Sequence, residues 1–110
     1  LGDRCQQIIC DSLQFDPSPY RGSRKLGFID GAHDLLPVKN DTRKMAVMMA
    51  NRGLVFWRDY GGKGGSRALA NYLELLASKT PIFRIMGTSL AWASGPDLRA
   101  LFEKQGSEGL

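Results

Sequence analysis

The feature that most constrains this chain is the run Leu54-Val55-Phe56-Trp57, which contains no polar residue and no alternation. A strand with one face in water alternates apolar and polar residues, so a continuous run reads as a central strand covered on both faces. Helical patterns flank it. Val38, Thr42, Met45 and Met49 recur at spacings of four, three and four, which is one face of a helix reaching about Asn51. Asp34 is its expected cap, Pro37 falls in its first turn, and Gly53 suits a left-handed C-terminal cap. Beyond the run, Leu69, Tyr72, Leu73 and Leu76 form a second apolar stripe, with Ser66 as a candidate cap and Thr80-Pro81 as the stop.

Shorter patterns complete the chain. Cys5 to Leu13 carries Ile8-Ile9-Cys10 and closes on the turn formers Asp11-Ser12, which predicts a first strand. Pro17 and Pro19 make Phe15 to Lys25 a loop. Leu26 to Asp30 reads as a buried strand, and Ile82 to Met86 with Ser89 to Ala93 as an antiparallel hairpin closed by a tight primed turn at Gly87-Thr88. A last helix starts near Pro96 and turns Leu98, Leu101 and Phe102 inward, before a polar tail from Gln105 that is expected to fray. Strands alternating with amphipathic helices predict a single α/β domain over residues 1–104 with a partly parallel sheet, followed by the tail 105–110.

With 110 residues, 43% hydrophobic and 24% charged, the composition is that of one ordinary globular domain and excludes a disordered or collagen-like chain. No apolar run approaches the ~20 residues of a membrane helix, and no basic-then-apolar signal opens the chain, so the sequence points to the cytoplasm and away from membranes. Leu1 in place of Met suggests a chain trimmed or cut from a longer one. Cys5 and Cys10, five apart along a strand, would point to opposite faces, and they read as buried thiols rather than a disulfide. The formal charge of +4 is spread over Arg21, Arg24, Lys25, Arg43, Lys44, Arg52, Lys63 and Arg67, without interleaved exposed aromatics, which argues against nucleic-acid binding. Trp57, Phe56 and Phe83 read as core.

Two strands end in carboxylates, at Phe28-Ile29-Asp30-Gly31-Ala32-His33 and Phe56-Trp57-Arg58-Asp59-Tyr60. Ligands of open α/β sheets bind beyond the carboxyl ends of the strands, so Asp30, His33 and Asp59 could converge on one crevice, with Asp11 ending the first strand in the same sense. The alternative is that these carboxylates cap turns and helices and that His33 is a structural hydrogen-bonder. The same oxygen-rich set would suit a hard cation such as magnesium better than zinc, although its spacing matches no recognised metal signature. Gly61-Gly62-Lys63-Gly64-Gly65-Ser66 lacks the spacing of a phosphate-binding loop and reads as a turn or lid.

The stretch GFIDGAHDLLPVKNDTRKMAVMMANRGLVFWRDYGG, followed by RALANYLELLASKTPIFRIMGTSLAW, resembles the C-terminal half of class I S-adenosylmethionine-dependent methyltransferases. More narrowly, it is similar to the bacterial group with "FIDGxH" in the fourth strand, "HDY" ending the fifth and "GTSLA" in the terminal hairpin. The resemblance covers about Leu1 to Ala93. It implies a truncated Rossmann-like methyltransferase sheet, parallel with a C-terminal antiparallel hairpin, that lacks the first two strands. It also implies roles. Asp11, with Ser12 and Leu13, matches the adenine-binding position, while Asp30 and Gly31 match the fourth-strand residues near the methyl donor. Asp30 and Asp59 match positions that hold a divalent cation in metal-using relatives, and His33 lines the acceptor side. Asp30, His33 and Asp59 would then be the catalytic set, transferring a methyl group to the hydroxyl of a small molecule.

The chain departs from the family pattern where Arg58 replaces the His before the fifth-strand Asp, and where Asn51-Arg52-Gly53 replaces Pro-Gly-Gly. Arg24-Lys25 stands where an acidic residue enters the fourth strand. The glycine-rich motif of the first strand and the acidic end of the second are not in this sequence. In the family order 3-2-1-4-5-7-6, Leu26 to Asp30 would become an exposed apolar edge. Either the first strand of this chain closes up beside it, or a partner chain does, most simply a twofold copy. The second functional expectation is therefore a non-catalytic interaction module that dimerises or binds a complementing chain through that edge.

Overall fold

The computed structural model describes residues 4–30, 34–58, 60 and 67–110. After a 3-10 turn at Ser18–Tyr20, the chain forms β1 (Arg24–Ile29), α1 (Leu35–Met48), β2 (Met49–Trp57), α2 (Arg67–Ala77), β3 (Phe83–Arg84), β4 (Ala91–Ser94) and α3 (Gly95–Glu103). The result is an α/β fold with a four-stranded mixed sheet in the order β1-β2-β4-β3. β1 and β2 are parallel, and β4 runs antiparallel to both β2 and β3. Among the described residues no helix is long and apolar enough to cross a membrane.

The helix stripes pack as their spacing requires. Leu69, Tyr72, Leu73 and Leu76 are all buried in α2, and Val38, Thr42 and Ala46 in α1. Asp34 occupies the N-cap position of α1 in extended conformation, but its side chain accepts no capping hydrogen bond. Ser94 caps α3 and accepts from the backbone N–H of Asp97, with Pro96 in the first turn. The indole Nε1 of Trp57 donates to Thr42 Oγ1 at 3.0 Å, and both residues are fully buried. That bond ties α1 to the centre of the sheet and satisfies two polar atoms that could not reach water. The thioether of Met45 on α1 fills the space that a Cβ at Gly27 would take.

Several expectations are corrected. Cys5 to Leu13 forms no strand and is exposed throughout, with Ile9 at 88%. Cys5 and Cys10 are accordingly exposed free thiols rather than buried ones. Gly53 does not cap α1, which ends at Met48 and passes directly into β2, and Gly53 instead sits where β2 crowds the carbonyl of Arg24. The hairpin connection is longer than two residues: Thr88 N–H donates to Ile85 O, and Gly87 supplies the φ of +80° inside that turn. The candidate cap Ser66 and the loop Gly61 to Gly65 lie outside the described residues.

The tail packs instead of fraying. Ser107 and Leu110 are buried, Arg43 donates to Ser107 O at 2.6 Å, and Lys39 donates to Gly109 O at 2.7 Å. The hydroxyl of Tyr72 donates to Leu110 O at 2.5 Å, and burial of this phenol pushes its pKa above the ordinary tyrosine value. Polar composition misled here because the tail is held through its backbone carbonyls, which any sequence possesses.

Among the described residues, one face of the sheet is covered and the other carries no core residue. Ile29, Val55, Trp57, Ala91 and Ala93 join the helices in the core, whereas Leu26, Phe28, Leu54, Phe56 and Trp92 do not. Leu26 is 64% exposed and Phe28 50%, so β1 is not the buried strand expected, and β2 is central but not covered on both sides. Of the three aromatics expected in the core, only Trp57 is there: Phe56 is half-buried and Phe83 is 46% exposed.

Candidate functional site

Asp11, Ser12 and Leu13 lie in a turn rather than at the end of a strand. The carboxylate of Asp11 accepts from the N–H of Leu13 at 3.0 Å, and Gln14 N–H donates to Asp11 O. The polar face of α1 then holds this turn. Lys44 Nζ donates to Ser12 O at 2.6 Å and to Leu13 O at 3.0 Å, while Asn40 Nδ2 donates to Ser12 O at 3.2 Å. Asn40 and Lys44 reach the same turn because they are four residues apart on one helix face.

Asp30 follows the last residue of β1. Its Oδ2 accepts from Arg58 Nη1 at 3.1 Å, across the ends of the parallel pair β1 and β2. The parallel register brings them together: Arg58 N–H donates to Ile29 O, so the residue after each strand meets its counterpart. Both side chains are substantially exposed, which makes this a screened surface pair worth less than about 1 kcal/mol.

A cavity of about 260 Å³ opens between these two groups, lined in part by Ser12, Phe15, Phe28, Asp30, Asp41 and Lys44. The structure thus brings Ser12 and Asp30 to one place, whereas Asp11 and Leu13 do not line it. Gly31, His33 and Asp59 lie outside the described residues. Lys44 and Asp41 are functional candidates that sequence reasoning missed; the available signal was the polar Asn40-Asp41-Lys44 surface of α1, opposite the buried Val38 and Thr42. A second cavity of about 500 Å³ lies under the N-terminal segment, between Arg4, Cys5, Tyr20 and Arg24.

Of the expected metal ligands, Asp30 is among the described residues and Asp59 is outside them. Among the described residues no three His, Cys, Asp or Glu side chains converge, and the carboxylate of Asp30 is occupied by a guanidinium that would oppose a cation. Nor does the smaller cavity reach the ~300–1,000 Å³ usual for an organic ligand. Compared with protein-family models and with curated proteins, the chain matches none.

Proposed function

We propose that this methyltransferase-like α/β unit serves as an interaction module, with the β1 edge, unpaired among the described residues, pairing with another chain, most simply a twofold copy. One observation carries the reading: β1 is the outermost strand of the sheet, yet it bears the exposed Leu26 and Phe28. An unpaired edge presents a row of backbone donors and acceptors, and proteins ordinarily blunt or cover it. The order β1-β2-β4-β3 agrees with the 4-5-7-6 portion of the order the resemblance implies, which supports the methyltransferase-like part of the reading. Light scattering from micromolar to submillimolar protein tests the simplest form. A dimer mass is expected, and a monomeric mass throughout removes the twofold copy.

A partial S-adenosylmethionine site, with methyl transfer to a small-molecule hydroxyl, is the second reading. It is supported by the meeting of Ser12 and Asp30 at one cavity, whose volume of about 260 Å³ suits part of the cofactor rather than the whole. Calorimetry with S-adenosylhomocysteine tests it: micromolar binding lost in Asp11→Ala and Asp30→Ala supports it, and the absence of heat leaves the interaction module alone.

A further inference from the structure

Three guanidiniums meet at one small cavity, at the opposite end of β1 from Asp30. Arg21 from the turn before β1, Arg43 from α1 and Arg99 from α3 line a space of about 190 Å³, with Phe102 as an apolar wall and Glu103 as its one carboxylate. Contacts to the backbone set the arrangement. Gly22 N–H donates to Val47 O and Ser23 N–H to Met48 O, which ties the turn carrying Arg21 to the end of α1. Arg43 Nη2 donates to Ser107 O at 2.6 Å, and its Cζ lies 4.7 Å from the centre of the Phe102 ring. Arg99 donates from Nε to Ala46 O at 3.4 Å and from Nη2 to Met49 O.

These partners hold the side chains without neutralising them. A carbonyl is a dipole rather than a counter-charge, and a guanidinium does not release its proton in a protein. None of the three arginines stands in an ion pair with a carboxylate of the described residues, and Arg43 and Arg99 are half-buried. Donors also remain for a ligand: among the described residues, Arg43 commits one of its N–H groups to a hydrogen bond and Arg99 two, of the five each carries.

Charge and size then select the ligand. Like charges around one cavity repel, and partial burial reduces the water that screens them. Three guanidiniums against Glu103 leave two positive charges in excess, which a dianion balances. Glu108, beside the Ser107 that Arg43 holds, is exposed and does not line the cavity. The volume of about 190 Å³ lies below the ~300–1,000 Å³ usual for an organic ligand, so it suits a compact group such as phosphate rather than a nucleoside. The C-terminal end of a helix ordinarily repels anions. At the end of α1, however, the Ala46 carbonyl is taken by Met49 N–H and by Arg99.

We infer that this cavity binds a phosphate dianion, free or as the terminal monoester of a small molecule. Guanidinium forks match phosphate oxygens, and here the forks come from three separate elements. Binding therefore links the turn before β1 with α1 and α3 and stabilises the folded chain. The site uses neither the β1 edge nor the cavity of Ser12 and Asp30, so it depends on neither functional reading.

The test titrates the full chain with inorganic phosphate, glycerol 3-phosphate and acetate at constant ionic strength and at about pH 8, where phosphates are dianions. NMR follows the Nε–Hε resonances of Arg43 and Arg99. Saturable shifts with millimolar or tighter affinity are expected for both phosphates, with acetate at least tenfold weaker. The tighter of the two phosphates identifies the source as free ion or monoester. Arg21→Gln, at an exposed position, should weaken phosphate at least fivefold, whereas Arg67→Gln, the same charge change outside the cavity, should leave it within twofold. Glu103→Gln should tighten it several-fold. Urea midpoints verify that each variant folds, and phosphate should raise the midpoint of the native chain more than that of Arg21→Gln. The absence of a saturable shift with either phosphate overturns the inference. So does acetate binding as tight as phosphate, or an equal loss in Arg21→Gln and Arg67→Gln.

Discussion

Val55 and Phe56 are neighbours in β2, yet they inhabit different environments. Val55 lies between Gly27 and Ala93 on the face that α1 and α3 cover, and it is fully buried. Phe56 lies between Phe28 and Trp92 on the face that carries no core residue. The covered face contains small residues beside large ones, Gly27 and Ala93 with Trp57 and Met45, as close packing against helices requires. The open face has large apolar side chains at six paired positions, Leu26, Leu54, Phe28, Phe56, Trp92 and Phe83. A face built for water would carry polar residues there. The contrast teaches that two faces of one strand can share apolar character yet differ in burial, because the helices among the described residues pack on one of them.

The largest expected effect falls on the covered face. Trp57→Ala should cost about 3–5 kcal/mol in urea unfolding, while Phe56→Ala one residue away should cost about 1 kcal/mol or less. Equal losses would break the comparison. Thr42→Val keeps the shape of the side chain but leaves the buried N–H of Trp57 without an acceptor, so a loss of about 1–3 kcal/mol is expected in the same assay. Tyr72→Phe, which removes the hydrogen bond to Leu110, should cost about 1 kcal/mol near neutral pH.

The tyrosine also sets an alkaline limit. Its pKa is raised in the folded state by burial, so the unfolded chain ionises first. The stability linked to the protonated phenol is complete below pH ~10 and is lost as pH rises toward the folded value, at a gradient of at most about 1.4 kcal/mol per pH unit. Denaturation midpoints against pH should therefore fall more steeply above pH ~10 for the native chain than for Tyr72→Phe. A parallel decline of the two would show that the phenol is not the group responsible. The smallest effect belongs to the surface: Asp30→Asn should change stability by no more than about 0.5 kcal/mol, since its ion pair with Arg58 is half exposed.

How far the sequence could be read varied with the range of the interaction. The stripe of α2 was legible residue for residue, because helical periodicity depends only on spacing along the chain. Ser94 was not anticipated as the cap of α3, although Pro96 marked its first turn. The strand predicted at Cys5 to Leu13 failed because apolar content alone does not dock a segment on a sheet edge, and the edge of β1 is left unused by it. At the candidate site, the carboxylates at strand ends were visible, but the pairing of Asp30 with Arg58 depends on the parallel register of β1 and β2. The anchoring of the Asp11 to Leu13 turn by Lys44 spans 31 positions or more, beyond any local pattern.

By itself, the sequence determined where the helices fall apart from the end of α1, which helix faces seek the core, and that Leu54 to Trp57 form a strand of the sheet. These follow from local spacing and from the preference of apolar side chains to leave water. Only the tertiary structure decided that one side of that strand is covered and the other is not, and that the C-terminal tail is held by Tyr72, Arg43 and Lys39. An apolar side chain encodes a preference for burial, but burial itself requires another layer at the right distance, and that is a property of how distant elements meet.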